Sequence, residues 1–228
     1  MTRLDSAAWP RIEPNSVLVL PIGSTEQHGP HLPFTTDADL ATALACELEA
    51  AREVTLAPTL PYGSSGEHQD FPGTLSIGNN VLHELLIELV RSATCSFSSV
   101  YIVNGHGGNV AALATAMKQL RAEGRFVHAF APNLAADLHA GAFETSLMLH
   151  LQPERVRQPD AEAGNIATLA ELWPSMAMHG VRSVSANGVL GDPRFASADQ
   201  GRDLFNELVA QLLADFDAWR QGVGSSHG

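Results

Sequence analysis

Apolar runs of strand length alternate with stretches of helical periodicity along this chain, and the alternation limits the fold more than any other feature. The runs "SVLVLPI" at 16–22 and "SVYIVN" at 99–104 have the length of buried strands. Longer amphipathic stretches follow them at 37–52 and 109–124. Repeated strand–helix units predict the α/β class, with a mostly parallel sheet covered by helices on both faces.

The rest of the chain continues this alternation. Further strands are predicted at 53–58 and 125–132, with helices at 81–95 and 197–220. Loop-rich sections are predicted at 59–80 and 152–200. A chain of 228 residues suits one domain, so we predict a single domain over 1–228 with a flexible tail from about residue 222.

The acidic composition argues against two classes of partner. A formal net charge of -12 would repel both the phosphates of nucleic acids and anionic membrane surfaces. The sequence contains neither a signal-peptide pattern nor an apolar run long enough for a transmembrane helix. We therefore expect a cytoplasmic protein that binds no nucleic acid and no membrane.

Acidic residues and histidines cluster directly after the first long apolar run. Glu26 and His28 are two residues apart in "STEQHGPH". In an extended segment, side chains two apart project to the same side. Thr36 is a plausible N-cap, which places Asp37 in the first helical turn with its carboxylate directed back toward the strand ends.

A second group of such residues comes from later strand ends. His106 lies in "VNGHGGN", where glycines allow close backbone approach. His139 and Glu144 follow the predicted strand at 125–132, in a loop that becomes a helix near Glu144. Because ligands of parallel sheets bind beyond the carboxyl ends of the strands, we expect these groups to converge.

Mixed imidazole and carboxylate groups predict a metal site. Such ligands suit Zn, Mn or Fe(II), whereas calcium prefers oxygen ligands alone. Two ions about 3.5–4 Å apart need a shared carboxylate, and we assign that role to Asp37 because its side chain is short and fixed by the helix. We predict two divalent ions per chain, with these ligands: Glu26, His28, Asp37, His106 and Glu144.

The other histidines and motifs are less informative. We assign structural roles to the histidines that fall within helix, strand or connecting patterns: His83, His128, His150 and His179. His227 lies in the tail, while His31 and His68 could contact substrate, support ligands or have no role. "HELLI" lacks the second His of a zincin motif, and "GSSG" does not fit the GxSxG pattern of serine hydrolases.

Three motifs in order, "PIGSTEQHGPHLPFTTD", "VNGHGGN" and "HAGAFETS", resemble the creatininase family of metal-dependent amidohydrolases. The resemblance implies a dinuclear centre that uses Glu26, His28, Asp37 and His106, with Asp37 shared. It also implies a three-layer α/β sandwich and a closed homo-oligomer, a hexamer or larger. In creatininase a glutamate two residues after the second-motif His completes the ligand set, and that position is Gly108 here. We therefore transfer its role to Glu144.

Further segments narrow the resemblance to the creatininase-family peptidases of the mycofactocin system. They are "YGSSGEHQDFPGTLSIG", "RSATC", "HAGAFETSLMLHL" and "SANGVLGDPRFASADQGR". This group hydrolyses a peptide bond near the C-terminus of a modified ribosomal precursor peptide and releases its Val-Tyr-derived unit. The resemblance makes His139 the candidate proton donor to the leaving amine, or alternatively a supporting partner of Glu144.

Two other functions remain open from the sequence. One is a small-molecule amidohydrolase of the same family that acts on a cyclic amide such as creatinine or on a formamide. The other is a non-catalytic scaffold, although all five ligand-type residues are intact. In either enzyme, the loop at 59–80 and the region at 173–195 are expected to line the pocket, including Trp173, Met176, Met178 and His179.

Overall fold

A five-stranded parallel sheet forms the centre of the molecule. The computed structural model describes residues 2–132 and 138–224. The strands are β1 (Thr2–Arg3), β2 (Val17–Ile22), β3 (Thr55–Leu56), β4 (Ser99–Asn104) and β5 (Val127–Phe130). Their order in the sheet is β1-β3-β2-β4-β5, and every neighbouring pair is parallel.

The paired strands β2 and β4 determine where the segments that follow them begin. β2 and β4 pair along their whole length, from Val17 opposite Ser99 to Ile22 opposite Asn104. Every residue of both strands is buried, as expected for a strand covered on both faces. The segments that leave Ile22 and Asn104 therefore start side by side at one edge of the sheet.

The described residues form six α-helices, most of which pack against the sheet. They are α1 (Thr36–Ala51), α2 (Gly78–Ala93), α3 (Val110–Ala122), α4 (Ala142–Leu151), α5 (Leu169–His179) and α6 (Ala198–Gly224). α2 buries Leu82, Leu86 and Val90, whose spacing of four places them on one face of the helix. Within the described ranges, no helix has the length and apolarity needed to cross a bilayer.

The alternation of side chains along β2 divides the core into two parts. Val17 and Val19 pack with the buried side chains of α1, α4 and α6. Leu18 and Leu20 point the other way and pack with α2 and α3. Successive strand residues face opposite sides of a sheet, so one short run supplies both cores. The predicted three-layer α/β sandwich with a parallel central sheet is confirmed.

Two elements were not predicted from the sequence. β1 is only two residues long and gives no periodic signal. α5 lies in a section predicted to be loop-rich, and Pro174 within it argues against a helix. The signal for α5 is a capping box, in which Thr168 and Glu171 bond to each other's backbone at the helix start. α6 extends to Gly224, and residues 225–228 lie outside the described residues.

α4 and α6 approach so closely that one glycine is required between them. A Cβ atom added to Gly201 of α6 would lie 1.8 Å from the backbone oxygen of Ser146 in α4. Since no flexible side chain can move aside to relieve this overlap, the two helices would have to separate.

Replacing Gly201 with Ala is expected to lower the free energy of unfolding by about 1–3 kcal/mol, the usual cost of overpacking. Gly222→Ala in the same helix is the matched control, because no atom lies within 4 Å of its added Cβ. That control should be neutral or stabilising by up to about 1 kcal/mol through helix propensity. Denaturant titration of both variants measures the difference, and equal stability would contradict the close approach.

Candidate metal centre

The segment that leaves β2 carries two buried side chains toward the same point. Glu26 and His28 are each 1% exposed. The backbone around them is extended and is fixed by the isolated bridges of Thr25 with Leu75 and of His28 with Leu32. His28 Nδ1 donates a hydrogen bond to the backbone oxygen of Glu26 at 3.1 Å, which leaves Nε2 directed into the site.

Asp37 lies at the centre of the cluster. It is in the first turn of α1, as predicted, although the residue before the helix is Thr35 and Thr36 is its first residue. The predicted cap at Thr36 is therefore wrong by one position. Asp37 Oδ1 lies 3.1 Å from His28 Nε2, Oδ2 lies 3.0 Å from His106 Nδ1, and Oδ2 also accepts a 2.7 Å hydrogen bond from the Ser24 hydroxyl.

Hydrogen bonds of two asparagine side chains fix the loop after β4, which carries His106. The Asn104 amide donates to the backbone oxygen of His106 at 2.7 Å, and the Asn109 amide donates to the backbone oxygen of Gly23 at 3.0 Å. These bonds tie the end of β4 to the end of β2. His106 Nε2 donates to the backbone oxygen of Ser64 at 2.9 Å, so that its Nδ1 faces Asp37.

The start of α4 brings in a third carboxylate. Glu144 Oε2 lies 3.9 Å from His28 Nε2 and accepts a 2.6 Å hydrogen bond from the backbone nitrogen of Ala140. His139 comes from the loop before α4 and is also buried. Its Nε2 lies 2.7 Å from the backbone oxygen of Gln27, and its Nδ1 lies 3.7 Å from Glu26 Oε1.

The predicted ligands form two overlapping groups. One ligand atom from each of Glu26, Asp37 and His106 lies within 4.8 Å of the other two, and the same holds for His28, Asp37 and Glu144. Asp37 belongs to both groups, which is the position that a bridging carboxylate takes. Glu26 Oε2 is buried, and no contact from the described residues meets hydrogen-bond geometry, although His106 Nε2 lies 3.2 Å away. A cation at this point would satisfy this oxygen.

Charge is concentrated in this cluster. Burial raises the pKa of Glu26 to about 7. Burial would also raise the pKa of Asp37, but the imidazoles of His28 and His106 hold it well below its ordinary value. Burial opposes protonation of His28, yet the Asp37 carboxylate raises its pKa to about 10. The carboxylates therefore demand nearby positive charge, supplied either by protons or by metal ions.

His31 and His68, to which the sequence assigns no single role, also lie at this edge of the sheet. His68 is buried, with Nε2 3.5 Å from Glu26 Oε1. His31 bonds to Thr145 Oγ1 at 2.8 Å through Nε2, and burial lowers its pKa to about 4. Sequence reasoning missed Gln27, whose side-chain nitrogen lies 2.8 Å from His68 Nδ1. The position of Gln27 between Glu26 and His28 is the only sequence signal for its role. In an extended segment, however, its side chain is expected to project to the side opposite Glu26 and His28.

A cavity of about 1110 Å³ opens onto the cluster. Its floor includes Asp37 and His106, and its walls include the four residues predicted to line the pocket: Trp173, Met176, Met178 and His179. Leu172 and Met176 of α5 pack with Val181 and Leu190 in a small core separate from the two sheet cores. None of the described residues that line the cavity is Lys or Arg.

Comparison with known proteins identifies the family. The sequence profile of the Creatininase family, described as creatinine amidohydrolase, matches residues 4–216. The chain belongs to the creatininase family. It is 48% identical over 213 residues to the mycofactocin precursor peptide peptidase of Mycolicibacterium smegmatis, covering 90% of this chain and 85% of that protein. The protein of the same name from Mycobacterium ulcerans is 47% identical over 226 residues, covering 95% of this chain and 88% of the relative.

A solved structure described as a mutant creatininase of Zn-Zn type shares the fold, with a TM-score of 0.76. It is 26% identical and covers 93% of this chain and 95% of that chain. The present creatininase-family member has no space for a side chain at position 108. A Cβ atom on Gly108 would lie 2.2 Å from Ser64 O and 2.4 Å from His106 Nε2. A glutamate at this position would require the loop to move.

Replacing Gly108 with Ala is expected to displace His106 and to reduce bound zinc, measured by elemental analysis after dialysis, by at least about half. Gly107→Ala is the matched control on the same turn, because no atom lies within 4 Å of its added Cβ. Zinc content should be unchanged in that control. Equal zinc content in the two variants would show that the glycine at 108 is not required by the site.

Proposed function

We propose that this protein is a dinuclear metal-dependent hydrolase that cleaves a peptide bond near the C-terminus of the modified mycofactocin precursor peptide and releases the Val-Tyr-derived unit. The observation that carries this proposal is the pair of ligand groups that share Asp37. The identity of 47–48% over most of the chain with peptidases of that name supports the choice of substrate. A cytoplasmic homo-oligomer, hexameric or larger, fits the proposal and stays a prediction.

The proposed ligands divide between the two ions. Glu26 and His106 would hold one ion, His28 and Glu144 would hold the other, and Asp37 would contribute a carboxylate oxygen to each. Imidazole and carboxylate ligands suit Zn, Fe or Mn, and the related creatininase described as Zn-Zn type supports zinc as the first ion to test. When bound, the ions supply Lewis acidity for the scissile carbonyl and lower the pKa of a nucleophilic water.

The chain itself orients these groups. The Ser24 hydroxyl donates to Asp37, and backbone oxygens accept from His28 and His106, which fixes the direction of each ligand atom. Gly107 and Gly108 line the cavity next to His106, and their backbone N–H groups are the candidate donors there. We assign them to the oxygen of the scissile carbonyl, where they would stabilise its developing negative charge.

The cavity suits a peptide better than a compact cyclic amide. Its volume of about 1110 Å³ exceeds that of most small-molecule sites, and the α5 wall offers Trp173, Met176 and Met178 to an apolar or aromatic group. A creatinine-like or formamide substrate is the second candidate. The lower identity of 26% to the Zn-Zn type creatininase makes it the weaker one.

Replacing Asp37 with Asn should abolish cleavage, because the neutral amide cannot bridge two ions. We expect a loss of at least about 10³-fold in kcat/KM. Asp39→Asn is the matched control: it lies on the same turn of α1, but its carboxylate bonds to Thr35 and Arg155 instead of facing the cluster. It should retain activity.

The measurement is mass spectrometry of the modified precursor peptide incubated with each variant, with and without a chelator. Creatinine and a formamide serve as parallel substrates. Cleavage of creatinine or the formamide but not the peptide would favour the small-molecule amidohydrolase. No cleavage of any substrate, with no metal in the purified protein, would favour a non-catalytic scaffold.

Replacing Trp173 with Ala should raise KM for the precursor peptide about tenfold and leave kcat nearly unchanged, because apolar contact is lost away from the reacting bond. Trp9→Ala is the control, since Trp9 is 85% exposed and is absent from the cavity lining. Steady-state kinetics with the same peptide tests both. An unchanged KM in the Trp173 variant would place the substrate against another wall.

A further inference from the structure

Two proposed ligands, His28 and His106, follow one rule in how they use their ring nitrogens. Each donates one nitrogen to a backbone oxygen, His28 Nδ1 to Glu26 and His106 Nε2 to Ser64. The other nitrogen faces a carboxylate oxygen of Asp37 at 3.0–3.1 Å. Ligating histidines commonly show this pattern, because the bond to the carbonyl fixes the tautomer and leaves a lone pair for the metal.

His139 follows the same rule. A backbone oxygen can only accept, so the 2.7 Å contact with the oxygen of Gln27 places the proton on Nε2. With the ring proton on Nε2, Nδ1 of the neutral imidazole carries the lone pair. That lone pair lies 3.7 Å from Glu26 Oε1, where two electron-rich atoms would repel each other without a cation between them.

His68 shows the opposite arrangement. The Gln27 side-chain oxygen accepts from the backbone nitrogen of Gly29, which identifies the other terminal atom as the amide nitrogen. That nitrogen lies 2.8 Å from His68 Nδ1, 3.1 Å from the backbone oxygen of Gly188 and 3.1 Å from His139 Nε2. Because His139 Nε2 carries its own proton, the two amide protons go to His68 Nδ1 and to the Gly188 oxygen. Neutral His68 therefore carries its own proton on Nε2, which faces Glu26 Oε1 at 3.5 Å.

We propose that His139 is a third imidazole ligand of the metal centre, bound through Nδ1 to an ion that also contacts Glu26. The ligand atoms of Glu26, His28 and His139 lie within 4.8 Å of one another. This inference rests on the proposed dinuclear site, and it replaces the sequence-based expectation that His139 passes a proton to the leaving amine. His68, which presents an N–H to Glu26, becomes a positioning residue.

The test compares His139→Ala with His68→Ala. Both variants delete an imidazole that is buried beside Glu26 and Gln27. The centroids of the two rings are 4.3 Å apart. Zinc affinity is measured by competition with a chromophoric chelator. His139→Ala should weaken one of the two ions by more than about 100-fold, whereas loss of a positioning residue should cost about tenfold. Equal affinities in the two variants would overturn the inference.

X-ray absorption of the zinc-loaded wild-type protein supplies a measurement that does not depend on a variant. Three imidazoles shared between two ions are expected, and two would overturn the role of His139. Circular dichroism melting in chelator checks that both variants fold. Wild-type protein that takes up no zinc would overturn the proposed function as well. Two tightly held ions with only two imidazoles between them would overturn the His139 inference alone.

Discussion

The structure depends on negative charge buried at one edge of the sheet. Glu26, Asp37 and Glu144 are all shielded from water, and moving a carboxylate out of water costs several kcal/mol unless a cation accompanies it. When the N–H group of an imidazole is bonded to a backbone oxygen, the lone pair on its other nitrogen also requires a positive partner. Divalent ions bound at the proposed site would meet both requirements at once, and their binding would stabilise the fold as well.

The parallel pairing of β2 and β4 makes this concentration of charge possible. Because the two strands end in register, the residues that follow Ile22 and Asn104 start next to each other without a long connecting loop. Hydrogen bonds from Asn109 to Gly23 and to Asn104 then lock the two exits together. The proposed ligands, which are far apart in the sequence, thus lie on strand ends that are hydrogen-bonded to each other, which suits a site that must hold its geometry.

Much of the fold was predictable because β2 and β4 are mostly apolar and their flanking motifs carry clear ligand chemistry. The convergence of Glu26, His28, Asp37, His106 and Glu144 followed from strand ends meeting at one edge. α5 was missed because Pro174 masked its capping box. The contrasting roles of His139 and His68 could not be predicted, because a tautomer is set by tertiary partners such as Gln27 and not by sequence spacing.

The wall of the cavity is built on its own small core. Leu172 and Met176 pack with Val181 and Leu190, apart from the apolar clusters that join the sheet to its covering helices. Leu190 joins this core to the candidate site through backbone hydrogen bonds with His139, but Leu172 and Met176 of α5 belong to neither sheet core. Hydrolases that descend from one ancestor could therefore change substrate through substitutions in α5 alone, while the groups at the strand ends stayed the same.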